Sequence, residues 1–297
     1  MMLETDLQLK DFVRPDAEID WSDPSLPRSP IRNITPGLKA NAEYFGHPEW
    51  AQGYLKYCHR NKRFHARWRR AAGSWDDKIV VDVGCGPGNV YANMGGKPKL
   101  LIGIDVSEGG LRMAQDVGYT TIMGDAQEMP FVSHFADIVV LNAALHHCDD
   151  MEKVLMESAR LVKPGGIMVI DHDPQISSID FRGLAKGLWY FRLFVNLMLQ
   201  KGFHRSRAEQ SLVLATEIHH DPGEGVSEEF FLDNLKPLGF KVDLYPHNNN
   251  GEEALDGDMG EVPRRFRILQ RLSGVNPSSK AGAIILMCVA TLPDSNA

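Results

Sequence analysis

Three glycines fall within five positions in VVDVGCGPGN, residues 80–89: Gly84, Gly86 and Gly88. Glycine reaches backbone conformations closed to other residues and lets a ligand lie against the main chain. A turn of this kind after an apolar strand is a ligand cradle. Its spacing narrows the ligand. A dinucleotide cradle reads G-x-G-x-x-G, but here the third glycine comes one place early and Pro87 removes a backbone donor. No G-K-[ST] follows, so a Walker A loop is excluded. Carboxylates recur in and after the neighbouring apolar runs: Asp82 in the first, Asp105 closing IGID, Asp125 after TTIMG. Acids suit hydroxyl and amine donors better than phosphates. His146 and His147 follow ADIVVLNAAL, and histidine titrates where a general base must work. His172 and Asp173 follow IMVID on the same side, and His219-His220-Asp221 reads as a polar turn before Pro222 or as a base with an orienting acid. None of these has a recognised metal-ligand spacing, so no metal is expected. Cys85 lacks an activating base and reads as a small residue in the turn.

These residues need a scaffold, and the sequence supplies a rhythm for one. From residue 78, apolar runs of strand length (KIVVDV, KLLIGIDV, YTTIMGD, ADIVVLNAAL, IMVIDHD) alternate with helical stretches. That pattern means βαβ units, a parallel sheet and helices on both faces. The helix DMEKVLMESARLVKPGG is expected to end at its Pro-Gly-Gly. Residues 176–215 read as helical, and Ser227 caps a helix in VSEEFFLDNLKPLGF. GFKVDLYPH and AGAIILMCVATLP read as the last two strands. Residues 1–38 are rich in Pro, Asp and Ser and read as an arm without its own core; 43–72 read as helical with a break at Pro48.

VDVGCGPGN resembles the first motif of the class I S-adenosylmethionine-dependent methyltransferases. IGIDVS, GDAQEMPF, FADIVVLNAALHHCDD and LVKPGGIMVI continue the resemblance in the family's order over residues 79–173. The chain is most similar to the small-molecule subgroup related to ubiquinone and menaquinone biosynthesis. The resemblance implies a doubly wound, Rossmann-like α/β fold with a seven-stranded, mostly parallel sheet. It implies S-adenosylmethionine as cofactor, held by Asp82, Gly84, Cys85, Gly86, Gly88, Asp105, Val106, Asp125, Ala126 and Asn142. Asp105 would take the ribose hydroxyls, Asp125 and Ala126 the adenine, and Asp82 the methionyl amine. Arg63, Arg67 or Tyr54 would add a contact to the methionyl end. His147 and His146 are the catalytic candidates. Some quinone-pathway relatives carry an acid at the position of His146 and hold a divalent metal there. The histidine departs from that pattern.

The organisation expected is an arm and helical cap over 1–75, then a cofactor-binding domain over 76–297. A helical insertion over 176–235 would form the lid and acceptor pocket. Its Phe181, Leu184, Leu188, Trp189, Tyr190, Phe191, Phe194, Leu197 and Met198 suggest a greasy cavity beyond what helix packing needs. The 297 residues are 43% apolar and 24% charged with net charge −7, an ordinary globular balance that argues against phosphate-gripping nucleic-acid binding. Asn142-Ala-Ala-Leu replaces the Asn-Pro-Pro-Tyr of amino-methylating DNA enzymes. The basic RRFRILQR (264–271) leaves contact with RNA or with an acidic lipid surface open. Four cysteines without a C-x-x-C pair, no secretory run, and an apolar window at 184–200 broken by Lys186 and Arg192 point to the cytoplasm. The function expected is O- or C-methylation of an apolar or aromatic small molecule. The alternatives are a nicotinamide-dependent oxidoreductase and a non-methylating protein that binds S-adenosylmethionine.

Overall fold

The structure is a computed structural model that describes residues 7–56, 61–199, 206–219, 221–251 and 253–294. Its centre is a sheet of β1 (Ile79–Val83), β2 (Leu100–Asp105), β3 (Thr120–Met123), β4 (Ala136–Asn142), β5 (Val162–Asp171), β6 (Lys241–His247) and β7 (Ile285–Thr291). The spatial order is β3-β2-β1-β4-β5-β7-β6. Strands β1 to β5 run parallel, and β7 inserts antiparallel between β5 and β6. The expected seven-stranded, mostly parallel architecture is therefore what forms. Central strands read as unbroken apolar runs because both faces are covered: Leu100, Leu101, Ile102 and Ile104 of β2 are all buried. β1 pairs with β2 on one side and β4 on the other, so the connections diverge there and leave a crevice beyond the strand ends.

The helices are α1 (Pro36–Phe45), α2 (Pro48–Tyr54), α3 (Lys62–Ala72), α4 (Asn89–Met94), α5 (Glu108–Asp116), α6 (Met151–Leu161), α7 (Ile176–Ile179), α8 (Gly183–Leu199), α9 (Arg207–Thr216), α10 (Glu228–Leu235) and α11 (Arg264–Leu272). Side-chain caps fix several starts: Thr35 accepts from Leu38 N, Ser107 from Gly110 N, Asp150 from Lys153 N and Ser227 from Phe230 N. The break at Pro48 falls where expected. The end of α6 does not. The helix stops at Leu161, and Val162 already pairs with Ala136 before the register shifts to Ile138↔Ile167. Pro164 drives the residue before it extended, so Lys163 joins a bulged strand instead of a last helical turn.

The arm borrows a core. Leu9 and Leu26 are buried, Val13 bridges Phe131, and Arg28 bridges Met123 along the outer edge of β3. Arg28 also pairs with Glu108 at 2.9 Å. The segment thus covers an open sheet edge. α1 packs on α9 and touches the 3₁₀ turn Leu145–His147, which brings both segments over the crevice. No helix among the described residues is long and apolar enough to cross a membrane.

Candidate active site

The glycine turn leaves β1 with Gly84 at φ 68°, Gly86 at 50° and Gly88 at 78°. A Cβ on Gly84 would lie 2.9 Å from that of Ala144, so the turn can nest against the β4 end only without a side chain. Asp105, at the tip of β2, clamps it: Gly86 N–H donates to Oδ2 and Ser107 N–H to Oδ1, both at 2.8 Å. Burial raises its pKa against those hydrogen bonds. Asp125 accepts from Gln127 N–H at 2.8 Å. Asp82 lies deeper, 1% exposed, accepting from the Tyr119 hydroxyl at 2.7 Å. Burial pushes its pKa up to about 7 despite that bond, with the charge of Asp105 adding to the rise.

A cavity of about 520 Å³ opens over these groups. Asp82, Gly84, Cys85, Gly86, Asp105, Val106, Asp125, Ala126, Asn142, His146 and His147 all line it. Gly88 does not. It starts α4, and a Cβ there would strike Tyr119 at 2.7 Å and Val117 at 2.8 Å, so this glycine is required by packing. The Cys85 sulfur is turned toward Gly103, where an added Cβ would meet it at 2.7 Å. Burial pushes that thiol well up.

The two histidines end up in opposite electrostatic states. The backbone N–H of His146 donates to Asp173 Oδ1 at 3.0 Å, and its ring Nδ1 lies 2.8 Å from the same oxygen. Its Nε2 is 3.8 Å from Glu217 Oε2. Burial works against charge on the ring, but Asp173 and then Glu217 outweigh it and raise the pKa. His147 Nδ1 lies 2.6 Å from the Thr216 carbonyl, and its ring meets Phe45 edge-on. Burial and the neighbouring His146 lower its pKa to about 4. Both Nδ1 atoms face pure acceptors, which assigns the Nδ1–H tautomer to each neutral ring and leaves Nε2 to accept. Donor atoms of His146, His147 and Glu217 lie within 4.8 Å of one another.

Other expectations need correction. Arg67 does not reach the cavity: its Nε is 3.1 Å from Asp171 Oδ2 and its Nη2 2.9 Å from Asn249. Arg63 does not line the cavity either, and the side chain of Tyr54 lies outside the described residues, as do Cys58 and His220. His219 gives its backbone N–H to the His146 carbonyl at 3.0 Å, and neither it nor Asp221 lines the cavity. Among the described residues the insertion's aromatics do not line this cavity. Phe181 and Trp189 pack with Phe266 in a separate cluster, while Leu184, Phe191 and Met198 are exposed. The side chains of Phe194 and Leu197 lie outside the described residues. The apolar lining comes instead from Leu38, Phe45, Pro174, Ile284 and Ile285. Asn41 and Glu217, which no sequence pattern marked, also line it, and so does Arg265 of the basic 264–271 stretch. Asn41 donates from α1 to the His147 carbonyl at 3.1 Å. Neither Asn41 nor Glu217 belongs to a local motif that could have marked it, and the basic stretch marked Arg265 as a surface residue and not as part of a cavity.

A methyltransferase domain model matches residues 81–170. The demethylmenaquinone methyltransferase of Bacillus subtilis is 31% identical over 196 residues, covering 59% of this chain and 82% of that protein. The tRNA (carboxymethyluridine(34)-5-O)-methyltransferase of Arabidopsis thaliana is 30% identical over 133 residues, 39% of this chain and 32% of that one. A methyltransferase solved with the Trm112 methyltransferase activator of Haloferax volcanii shares the fold at TM-score 0.52 and 15% identity, covering 88% of this chain and 100% of that one. For three curated relatives the match spans 32%, 55% and 56% of their own length. The chain belongs to the class I S-adenosylmethionine-dependent methyltransferases. Within that family it resembles the ubiquinone and menaquinone biosynthesis enzymes.

The family's cofactor, S-adenosylmethionine, fits the donor set. The glycine end of the cavity offers backbone groups and the carboxylates of Asp82, Asp105 and Asp125, with no lysine or arginine in that part of the lining. Such a set suits a ribose diol, an adenine amine and an ammonium. It would repel a pyrophosphate.

Proposed function

We propose that this chain transfers a methyl group to an oxygen or an acidic carbon of an apolar small molecule, with His146 as the general base. The observation that carries the reading is the His146–Asp173 pair, 2.8 Å apart, opening on the same cavity as the Asp105 clamp. S-adenosylmethionine supplies a methyl group already activated on a sulfonium. Asp105 takes the ribose hydroxyls on the lone pairs its two backbone donors leave over. Asp125, with Ala126 and Val106, borders the adenine. Asp82 faces the methionyl amine, and the backbone of Gly84, Cys85 and Gly86, with Asn142, borders the methionyl chain.

Alignment of the acceptor can supply about 7–11 kcal/mol at best. An acceptor that must lose a proton needs a base as well, worth about 10²–10⁴-fold. His146 Nε2 takes that proton, and Asp173 stabilises the imidazolium. His147, with its depressed pKa, stays neutral and shapes the turn through Thr216. Residues 1–75 act as arm and cap on the domain over 76–297, with 176–235 as lid. In that lid α9 and the cap helix α1 close the cavity and exclude water. Among the described residues Cys85, Cys148 and Cys288 are free thiols, which supports work in the reducing cytoplasm. The negative net charge favours a small acceptor over RNA.

The test is calorimetric titration with S-adenosylmethionine, S-adenosylhomocysteine and NADH, for the native chain and Asp105→Ala. Micromolar binding of the first two, lost in the variant, is expected. Turnover on a panel of phenols and quinols then separates a transferase from a protein that only binds the cofactor. Binding of NADH alone would overturn the proposal.

A further inference from the structure

Helix α8 buries one face and leaves an apolar one in water. Its Ala185 and Trp189 are buried in one cluster with Phe266 and Leu269 of α11. Its Leu184, Leu188, Phe191 and Met198 are between 41% and 68% exposed. These four stand at positions i, i+4, i+7 and i+14, which places them in one stripe about 21 Å long. Helix α11 repeats the arrangement with charge added. Phe266 and Leu269 are buried, while Arg264, Ile268, Arg271 and Leu272 share an exposed face. Scattered apolar side chains at a surface need no explanation, but six on two touching helices do.

The two exposed faces adjoin. The Arg192 guanidinium lies over the Trp189 ring at 3.3 Å, Arg265 lies 5.2 Å from the Phe266 centroid, and those rings are 5.7 Å apart. Arg192 follows Leu188 by one turn and Arg265 precedes Ile268 by one, so each marks the flank of its helix that carries the exposed stripe. Arg265 is exposed and also lines the cavity, so the cavity reaches the surface beside this face.

Charge selects the partner. The two helices hold Lys186, Arg192, Arg264, Arg265, Arg267 and Arg271 and no acid, in a chain of net charge −7. Of the acids that flank them in sequence, Glu261 is paired with Arg267 at 3.7 Å and Asp180 with Arg182. RNA would answer the arginines but leave the apolar stripe in water. A second copy joined by a two-fold axis would set arginine against arginine. An anionic bilayer answers both features. The apolar side chains enter below the headgroups, and the guanidinium groups stay at the level of the phosphates.

We infer that the exposed faces of α8 and α11 dock this chain on a membrane surface that carries anionic lipid. The docking does not depend on the methyl-transfer reading. The rest of the chain is net acidic and is repelled by the same surface, so the protein is held in one orientation, with the Arg265 edge of the cavity beside the lipid.

The test is co-sedimentation of the full chain with vesicles of phosphatidylcholine alone and of equal parts phosphatidylcholine and phosphatidylglycerol. Binding to the anionic vesicles should be about tenfold or more tighter than to the neutral ones, and salt should weaken it. Arg264→Gln with Arg271→Gln should weaken it about 30-fold, at about fivefold for each arginine near the surface. Leu184→Gln with Phe191→Gln should weaken it about tenfold or more. Both double variants change exposed side chains only, so an unmoved thermal unfolding midpoint reports that they fold. Arg69→Gln, exposed on α3, should leave vesicle binding unchanged. Equal binding to both kinds of vesicle, or to neither, overturns the inference. Binding of poly(U) without binding of vesicles would assign the arginines to RNA. A dimer in sedimentation velocity that Leu184→Gln with Phe191→Gln disperses, again without vesicle binding, would assign the face to a second copy.

Discussion

Asp171 and Asp173 stand two positions apart at the end of β5, and each meets a histidine nitrogen at 2.8 Å. The two couples behave in opposite ways. Burial and Asp173 compete over His146, and its pKa ends up raised. Burial and Asp171 compete over His247, and its pKa ends up lowered. Distance cannot explain the difference; the company of each carboxylate does. Asp171 also binds Arg67 and Trp68 and is held well below the carboxylate range against the effect of burial. Its charge is already answered, and Arg67 repels a proton on His247. Asp173 has no arginine, its Oδ2 has no partner among the described residues, and Glu217 adds a second negative charge near His146. Asp171 raises His247 as well, but burial with Arg67 and His172 outweighs it, whereas at His146 Asp173 and Glu217 together outweigh burial. Strand periodicity would put residues two apart on one face, but His172 between them sits at φ 66° and turns the chain. One couple therefore ties α3 to the β6 end, and the other faces the cavity.

The comparison breaks most sharply at the two rings. His146→Gln should lower kcat by about 10²–10⁴ while S-adenosylhomocysteine affinity stays unchanged. His247→Gln should leave kcat within a few-fold. Equal losses from the two variants, by steady-state kinetics on any accepted phenol, would erase the distinction. The next largest effect is structural. Arg67→Met leaves Asp171 as a buried, under-compensated charge and should cost about 3–5 kcal/mol in denaturant unfolding. A cost below 1 kcal/mol would mean that the arginine does not govern the Asp171 couple.

A pH profile sharpens the contrast further. His146 must be neutral to accept a proton, and its raised pKa keeps it charged to higher pH. The rate kcat/KM should therefore rise with pH through a midpoint above the ordinary histidine value of about 6.5. Asp173→Asn removes the main group that raises the pKa and should move the midpoint down. A midpoint indifferent to Asp173 would put the proton on another group.

The glycine end of this cavity was legible in the sequence and the rest of its lining was not, for a physical reason. Gly84, Gly86, Asp105 and Asp125 each sit within a few residues of the strand that presents them, so a local motif carries their position. Glu217, Asn41 and Arg265 arrive from α9, α1 and α11, and only tertiary packing brings them to the cavity. Asp173 was visible as facing the site, but not as the partner of His146. The insertion's aromatics misled because helical spacing cannot tell a buried cluster from a pocket wall. Gly88 misled for a related reason: it belongs to the motif in sequence, yet its missing side chain makes room for Tyr119. The Pro-rich arm announced that it had no core, but not that it would lie along β3.

The smallest expected effect concerns Asp82, a third buried carboxylate, which has neither arginine nor histidine beside it in its hydrogen bonding. Its one partner, Tyr119, leaves the pKa pushed up to about 7 by burial. In the free protein it is about half protonated at pH 7 and mostly protonated below that, and an ammonium brought beside it favours the ionised form. Ligand affinity must then rise with pH while the carboxyl ionises and the ligand's own amine stays charged. Between pH 5.5 and 7 S-adenosylhomocysteine should bind roughly tenfold more tightly as Asp82 ionises. Asp82→Asn should flatten the profile. Tyr119→Phe removes the hydrogen bond that favours ionisation, so it should shift the rise to higher pH. A native profile already flat over that window would show that Asp82 holds no ammonium, and that its bond to Tyr119 serves the fold alone.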